Sequence, residues 1–119
     1  MSQLLIEKIK AGRAVEVEAG GHLFTLRRPT NLEIKDLRDS RSMLDSQILR
    51  SFVTGWKQVT EADLIPGGTP KEVAFDPDLF VVWVSDQPDI YEKLLEAIID
   101  SYTARQAELG RLLKKPEPG

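Results

Sequence analysis

Few residues of this chain are suited to acid–base or nucleophilic chemistry. The sequence contains one histidine, His22, and no cysteine, which excludes thiolate nucleophiles, disulfides and metal sites built from cysteine or from several histidines. His22 follows the glycine pair Gly20–Gly21, and a single histidine beside a turn is usually solvated. The spacing of the chain does not assign a serine–histidine–aspartate arrangement around it. We therefore expect a protein that is not an enzyme and that has no cofactor.

Two pairs of acidic residues, Asp76 with Asp78 and Asp86 with Asp89, are the nearest approach to a set of cation ligands. Their spacing departs from the Asp-x-Asp-x-Asp-Gly pattern of calcium loops. We expect them in the first turns of two helices, where carboxylates favour the positive end of the helix dipole. The segment 67–71 contains Gly, Thr and Lys, but not in the order of a phosphate-binding loop. No metal site is predicted from these segments.

The composition indicates one globular domain with an uneven charge distribution. The 119 residues are 41% hydrophobic and carry a net charge of −3, but residues 1–60 carry +3 and residues 61–119 carry −6. The longest apolar run, residues 79–84, is far shorter than a membrane span, and the start of the chain lacks the features of a signal peptide. We expect a cytosolic protein without nucleic-acid or membrane partners. The opposed charges either favour head-to-tail association of copies or only solvate two surfaces.

The clearest local pattern lies in residues 13–27. Polar and apolar residues alternate on both sides of Gly20–Gly21, and two glycines supply the positive φ angles of a tight turn. A two-residue turn places Val17 opposite Phe24, so that the apolar side chains share one face and the glutamates lie on the other. This segment is predicted to be a β-hairpin.

Helices are predicted for most of the remaining chain. Thr30 and Glu33 have the spacing of a capping box, and Asp76–Pro77 is typical of a helix start. Residues 79–84 fit a buried helix or a strand, and the start signal favours the helix. The predicted fold is α+β and mainly helical, with an N-terminal β-hairpin packed on a long helix and a C-terminal helix pair. Its parts are an arm or short helix over residues 1–12, a single globular domain over 13–109 (hairpin 13–27, helix 31–56, loop 57–75, helices 77–85 and 88–109), and a flexible tail over 110–119.

Several charged residues fall within the apolar stripes of the predicted helices. Arg38, Arg41 and Asp45 lie in the stripe of helix 31–56, and Arg41 and Asp45 are four residues apart and can pair. Either their stems cover the edge of the core or this side of the helix faces another chain, where arginine is enriched. Arg105 interrupts the stripe of the last helix in the same way.

Large apolar residues complete the set of candidate contacts. Trp56 and Trp83 are expected to anchor the core, although Trp56 is also a candidate contact. Leu109, Leu112 and Leu113 extend an apolar edge that a monomer would expose. The candidate partner-binding residues are therefore Arg38, Arg41, Asp45, Trp56, Arg105, Leu109, Leu112 and Leu113.

Four short segments of the sequence resemble a known family. They are residues 24–30 leading into a helix, Gly55–Trp56, residues 73–79 after a loop rich in glycine and proline, and residues 95–102 in the last helix. In the order of their predicted elements and in these local sequences, residues 13–105 resemble the tail assembly chaperones of long-tailed bacteriophages and prophages. Members of that family are small and mostly helical, bind the very long helical tape-measure protein during tail-tube assembly, and often have a second, frameshifted form.

The resemblance implies a non-enzymatic tail assembly chaperone that acts in the cytoplasm of a bacterial host. Its implied partners are the phage tape-measure protein and the tail-tube protein, and a homo-oligomer is expected. The alternative is a structural virion component, such as a small tail or connector protein. The two are distinguishable because a chaperone is absent from finished particles.

Overall fold

The computed structural model describes residues 2–40 and 44–113, without the side chains of residues 39, 40, 112 and 113. The described elements form a mainly helical α+β fold, as the sequence predicts. Their antiparallel sheet has the strand order β1-β2-β3, whereas the sequence predicts only the hairpin of β1 and β2. In chain order they are α1 (Ser2–Ala11), β1 (Ala14–Ala19), β2 (His22–Arg27), α2 (Asn31–Ser40), α3 (Asp45–Phe52), β3 (Val53–Lys57), α4 (Glu61–Leu64), α5 (Pro77–Val84) and α6 (Pro88–Leu113).

The hairpin is confirmed together with its register. Val17 pairs with Phe24, and the turn glycines have φ angles of 59° and 81°. A Cβ atom on Gly20 would lie 2.6 Å from the Cδ1 of Ile90, so the turn packs directly on the start of α6. The hairpin therefore packs on the start of the last helix, and Arg27 at its open end also contacts Ser51 and Phe52.

The prediction of one helix over residues 31–56 is wrong. Helix α2 ends at Ser40, α3 ends at Phe52, and the chain then continues as strand β3. A register shift between Thr25 and Leu26 brings Val53 opposite Leu26 and Trp56 opposite Phe24. Both residues are buried although they are three positions apart, because a bulge adds one residue to the strand. That spacing also fits a helix, which explains why the periodicity was misleading.

The predicted helix starts are confirmed. The Thr30 hydroxyl accepts from the Glu33 amide, and the Glu33 carboxylate accepts from the Thr30 amide. The Asp76 carboxylate accepts from the amides of Asp78 and Leu79, so residues 79–84 are helical. Asp76 thus caps the helix whose start the Asp76–Pro77 pair predicts.

The last helix is longer than predicted. It passes through Gly110 and ends at Leu113, because the cost of one internal glycine, about 1 kcal/mol, is offset by the good helix formers around it. The prediction of a flexible tail over residues 110–119 is therefore wrong for residues 110–113, which are helical. Residues 114–119 lie outside the described part of the chain.

The predicted loop over residues 57–75 is a packed connection. It contains α4 and a bridge between Thr60 and Glu72, and the Val73 amide donates to the Val59 carbonyl at 2.8 Å. The indole N–H of Trp56 donates to the Val73 carbonyl, also at 2.8 Å. This segment is thereby fastened to the edge of the sheet.

The core lies between the sheet and the helices α3, α5 and α6. His22 is half-buried beside it, with its ring centroid 5.9 Å from that of Trp83, so the expectation of a solvated histidine is wrong. Among the described helices none is long and apolar enough to cross a membrane. The buried core residues are Ala19, Phe24, Leu26, Leu49, Phe52, Val53, Trp56, Val59, Phe80, Val84, Ile90, Leu94 and Ile98.

Candidate partner-binding groove

A groove lies between α1, the open end of the hairpin and the second half of α6. Its volume is about 660 Å³, within the range of ligand-binding clefts. Ten residues line it, and we call this set the basic groove: Lys8, Ile9, Gly12, Arg13, Val15, Arg28, Ser101, Ala104, Arg105 and Glu108.

The hairpin register positions two arginines of the groove side by side. Helix α1 is followed directly by β1, and the Arg13 amide in the connecting turn donates to the Lys10 carbonyl at 3.0 Å. At the other end of the hairpin the Arg28 amide donates to the Arg13 carbonyl at 2.8 Å. Arg13 and Arg28 therefore face each other across the open end of the β1–β2 ladder.

The groove concentrates positive charge. Within the part of the chain that the structure describes, its lining contains a single acidic residue, Glu108, whose carboxylate lies 3.6 Å from the Arg105 guanidinium. It contains four basic residues: Lys8, Arg13, Arg28 and Arg105. Burial, followed by the charges of Arg105 and Arg13, holds the pKa of Arg28 below its ordinary value, and Glu108 opposes this shift. Like charges directly opposite in a sheet are destabilising, so the fold contains a repulsion that an anionic ligand would relieve.

Helix α1 presents aliphatic side chains to solvent. Leu4, Leu5, Ile6 and Ile9, which we call the α1 apolar face, are 58%, 59%, 44% and 52% exposed. None of the described residues of α1 is buried. A helix of ten residues without packing is marginal in water, so α1 is an element that a partner would stabilise. Ile9 belongs both to this face and to the basic groove.

The structure separates the residues that the sequence predicts as partner contacts. Arg105 lines the basic groove, whereas Arg38 and Asp45 are exposed on α2 and α3 and do not line it. Trp56 is 9% exposed, which fits its interpretation as a core anchor and not as a contact. Arg41 lies outside the described residues.

The leucines at the end of the chain are partly described. Leu109 is half-buried on α6, and the side chains of Leu112 and Leu113 are outside the described set. The interpretation of Arg38, Arg41 and Asp45 as one surface assumed a continuous helix, and that assumption fails because α2 and α3 are separate.

Sequence reasoning missed three cations of the groove, namely Lys8, Arg13 and Arg28. The signal was present in the hairpin register, because pairing Ala14 with Arg27 makes Arg13 and Arg28 the next pair. The contribution of α6 required knowledge of how that helix packs, although Arg105 was already conspicuous within an apolar stripe.

No cluster of three or more His, Cys, Asp or Glu side chains that could hold a metal occurs within residues 2–40 and 44–113. Comparisons of the chain with models of protein families, with curated proteins and with solved structures find no match.

Proposed function

We propose that this chain is a non-enzymatic tail assembly chaperone of a long-tailed bacteriophage or prophage. It binds the tape-measure protein in the bacterial cytoplasm and supports assembly of the tail tube. The observation that carries the proposal is the α1 apolar face, which exposes four large aliphatic side chains on a helix without a buried residue.

The physical basis is coverage of an apolar helix by another. A very long helical protein exposes apolar stripes that aggregate unless they are covered. An amphipathic helix pairs with such a stripe through side chains spaced three and four residues apart. Leu5 and Ile9 have this spacing on α1, and Ile9 also lines the basic groove, so a helix bound to α1 would contact the groove as well.

Polar substitution of the α1 apolar face tests the proposal. Each half-exposed aliphatic side chain that becomes buried contributes about 1 kcal/mol. The double variant Leu5→Gln/Ile9→Gln should therefore bind tape-measure fragments about thirtyfold more weakly. Its thermal stability should not change, since neither side chain is buried in the free protein.

The matched control is Leu32→Gln/Val82→Gln. These side chains are 67% and 74% exposed, lie on α2 and α5, and are not among the residues that line the groove. Isothermal titration of co-expressed fragments of the tape-measure protein should show unchanged affinity for this control. Equal affinity of the α1 variant and the wild type would contradict the proposal.

The alternative, a structural virion component, predicts a different location of the protein. Mass spectrometry of purified particles should not detect a chaperone, whereas a tail or connector protein would be found in stoichiometric amounts. Detection in finished particles would therefore replace the proposed function with the alternative.

Self-association is part of the proposed function. The +3 and −6 halves of the chain favour head-to-tail contacts between copies, and salt screens contacts of this kind. Sedimentation should show oligomers at low salt that dissociate as salt increases. A monomer at high micromolar concentration and low salt would remove oligomerisation from the proposal.

A further inference from the structure

The basic groove differs in charge from the remainder of the chain. The groove residues carry +3, whereas the whole chain carries −3, so the residues outside the groove carry −6. An acidic partner is therefore repelled by most of the protein and attracted at one place. Such an arrangement steers a charged ligand to a defined site.

The walls of the groove fit a helix. On the α6 wall, Ser101 and Ala104 are small and lie one turn apart, which allows close approach of another helix backbone. On the opposite wall, Ile9 provides an apolar contact that Leu5 extends by one turn along α1. Arg28, at the open end of the hairpin, and Arg105, on α6, both line the groove, and burial followed by the charge of Arg105 holds the pKa of Arg28 below its ordinary value.

We infer that the basic groove binds an acidic amphipathic α-helix of a partner protein, whose glutamates and aspartates meet Arg13, Arg28 and Arg105 and whose apolar residues meet α1. This inference rests on the proposed function for the identity of the partner, which is an acidic stretch of the tape-measure protein. It adds the chemistry of the segment that is bound.

A protein helix fits this site better than a nucleic acid. None of the described lining residues is aromatic, so the groove lacks the aromatic rings on which single-stranded nucleic acids typically stack their bases. An extended polyanion would also meet the net charge of −6 outside the groove, whereas a short helix contacts only the groove and the α1 apolar face.

Two pairs of probes test the inference. The first pair is a designed amphipathic peptide with glutamates on one face and leucines on the other, and the same peptide with lysines replacing the glutamates. Fluorescence anisotropy should show that the wild-type protein binds the acidic peptide, and that it binds the basic peptide at least about tenfold more weakly. The second pair of probes consists of acidic and basic peptides taken from the tape-measure protein.

Charge reversal in the groove provides the structural test. The variant Arg28→Glu/Arg105→Glu should lose about tenfold or more in affinity for the acidic peptide and should gain affinity for the basic one. Lys93→Glu makes a reversal of the same kind on the first half of α6, where the side chain is exposed, and should leave affinity unchanged. A thermal melt confirms folding, and Arg28→Gln/Arg105→Gln replaces the double reversal if that variant unfolds.

The outcomes distinguish this inference from the proposed function. Binding of the designed acidic peptide without binding of any tape-measure peptide supports the groove chemistry and contradicts the proposed function. Binding of tape-measure peptides that is insensitive to charge reversal supports the function and overturns the inference. Failure of the acidic peptide to bind, stronger competition by single-stranded DNA, or occupation of the groove by a second copy of the chain would also overturn it.

Discussion

Replacement of Glu33 by glutamine should weaken the junction that joins the sheet to α2 and α3. The two carboxylate oxygens of Glu33 lie 2.8 Å from the two terminal nitrogens of Arg27. The Nε of Arg27 donates to the Ser51 carbonyl at 3.0 Å, and the guanidinium lies 4.5 Å from the ring centroid of Phe52. One carboxylate therefore orients a cation that contacts the end of α3.

The magnitude follows from the geometry and the exposure of the pair. A hydrogen bond to a charged group contributes about 1.5–3 kcal/mol when buried, and an exposed ion pair contributes about 0.2–1 kcal/mol. The side chains of Arg27 and Glu33 are 34% and 31% exposed, so solvent screening places the loss near the lower range. We expect Glu33→Gln to reduce the free energy of unfolding by about 1 kcal/mol, or the melting temperature by about 4 °C.

The loss should depend on pH. The hydrogen bond from Arg27 holds the pKa of Glu33 below its ordinary value, against the opposing effect of burial. A lowered pKa in the folded state means that the stabilisation is complete above the ordinary carboxyl pKa of about 4.3. It is lost as the pH falls through the lowered folded-state pKa. The difference between wild type and Glu33→Gln should therefore be full at neutral pH and disappear in strong acid.

Urea unfolding at several pH values measures this difference. The control is Glu16→Gln, which removes an ion pair with Lys57 whose side chains are 54% and 59% exposed and which should have little effect at any pH. An equal loss for Glu33→Gln at neutral and strongly acidic pH, or no loss at all, would refute the reasoning.

Three further predictions concern the hairpin. Gly20→Ala should lower the melting temperature more than Gly21→Ala. Both glycines have a positive φ, but only a Cβ atom on Gly20 would clash with Ile90. Equal decreases in melting temperature would contradict packing of the turn on α6. Val17→Asp should cost about 1–3 kcal/mol in a urea titration, because it places a charge on the packed face, and an unchanged midpoint would contradict the register. Arg28→Gln should leave the free energy of unfolding unchanged or raise it by a few tenths of a kcal/mol, roughly the scale of an exposed pair, because it removes repulsion from Arg13 and Arg105. The gain should be larger at low than at high salt. A clear loss of stability in calorimetry would show that Arg28 stabilises the fold.

The elements that could be predicted from the sequence are those with local causes. The Gly20–Gly21 turn fixes the hairpin register through backbone conformation alone, and the Thr30–Glu33 capping box fixes a helix start through two hydrogen bonds. These interactions span six residues or fewer. Short-range chemistry was therefore sufficient to place them.

The elements that were missed have distant causes. Strand β3 depends on pairing with β2 across more than twenty residues, and its bulge gives Val53 and Trp56 a helix-like spacing. The basic groove likewise depends on the approach of α6 to the open end of the hairpin. Arg105 was identified from the pattern of its own helix, whereas Arg13 and Arg28 acquire their significance only from each other and from α6.

The two halves of helix α6 differ in how much they are packed against the core, and therefore in local stability. Its first half ends in the core at Ile98, and its second half carries the groove wall, with Gln106 bonded to Asn31 at 2.7 Å. Backbone amides of the first half should exchange with deuterium only when the whole domain opens, whereas those of the second half should exchange through fraying. A ligand bound in the groove would slow deuterium exchange in the second half of α6 and leave exchange in the first half unchanged. The difference between the two halves of this helix would therefore measure whether the groove is occupied.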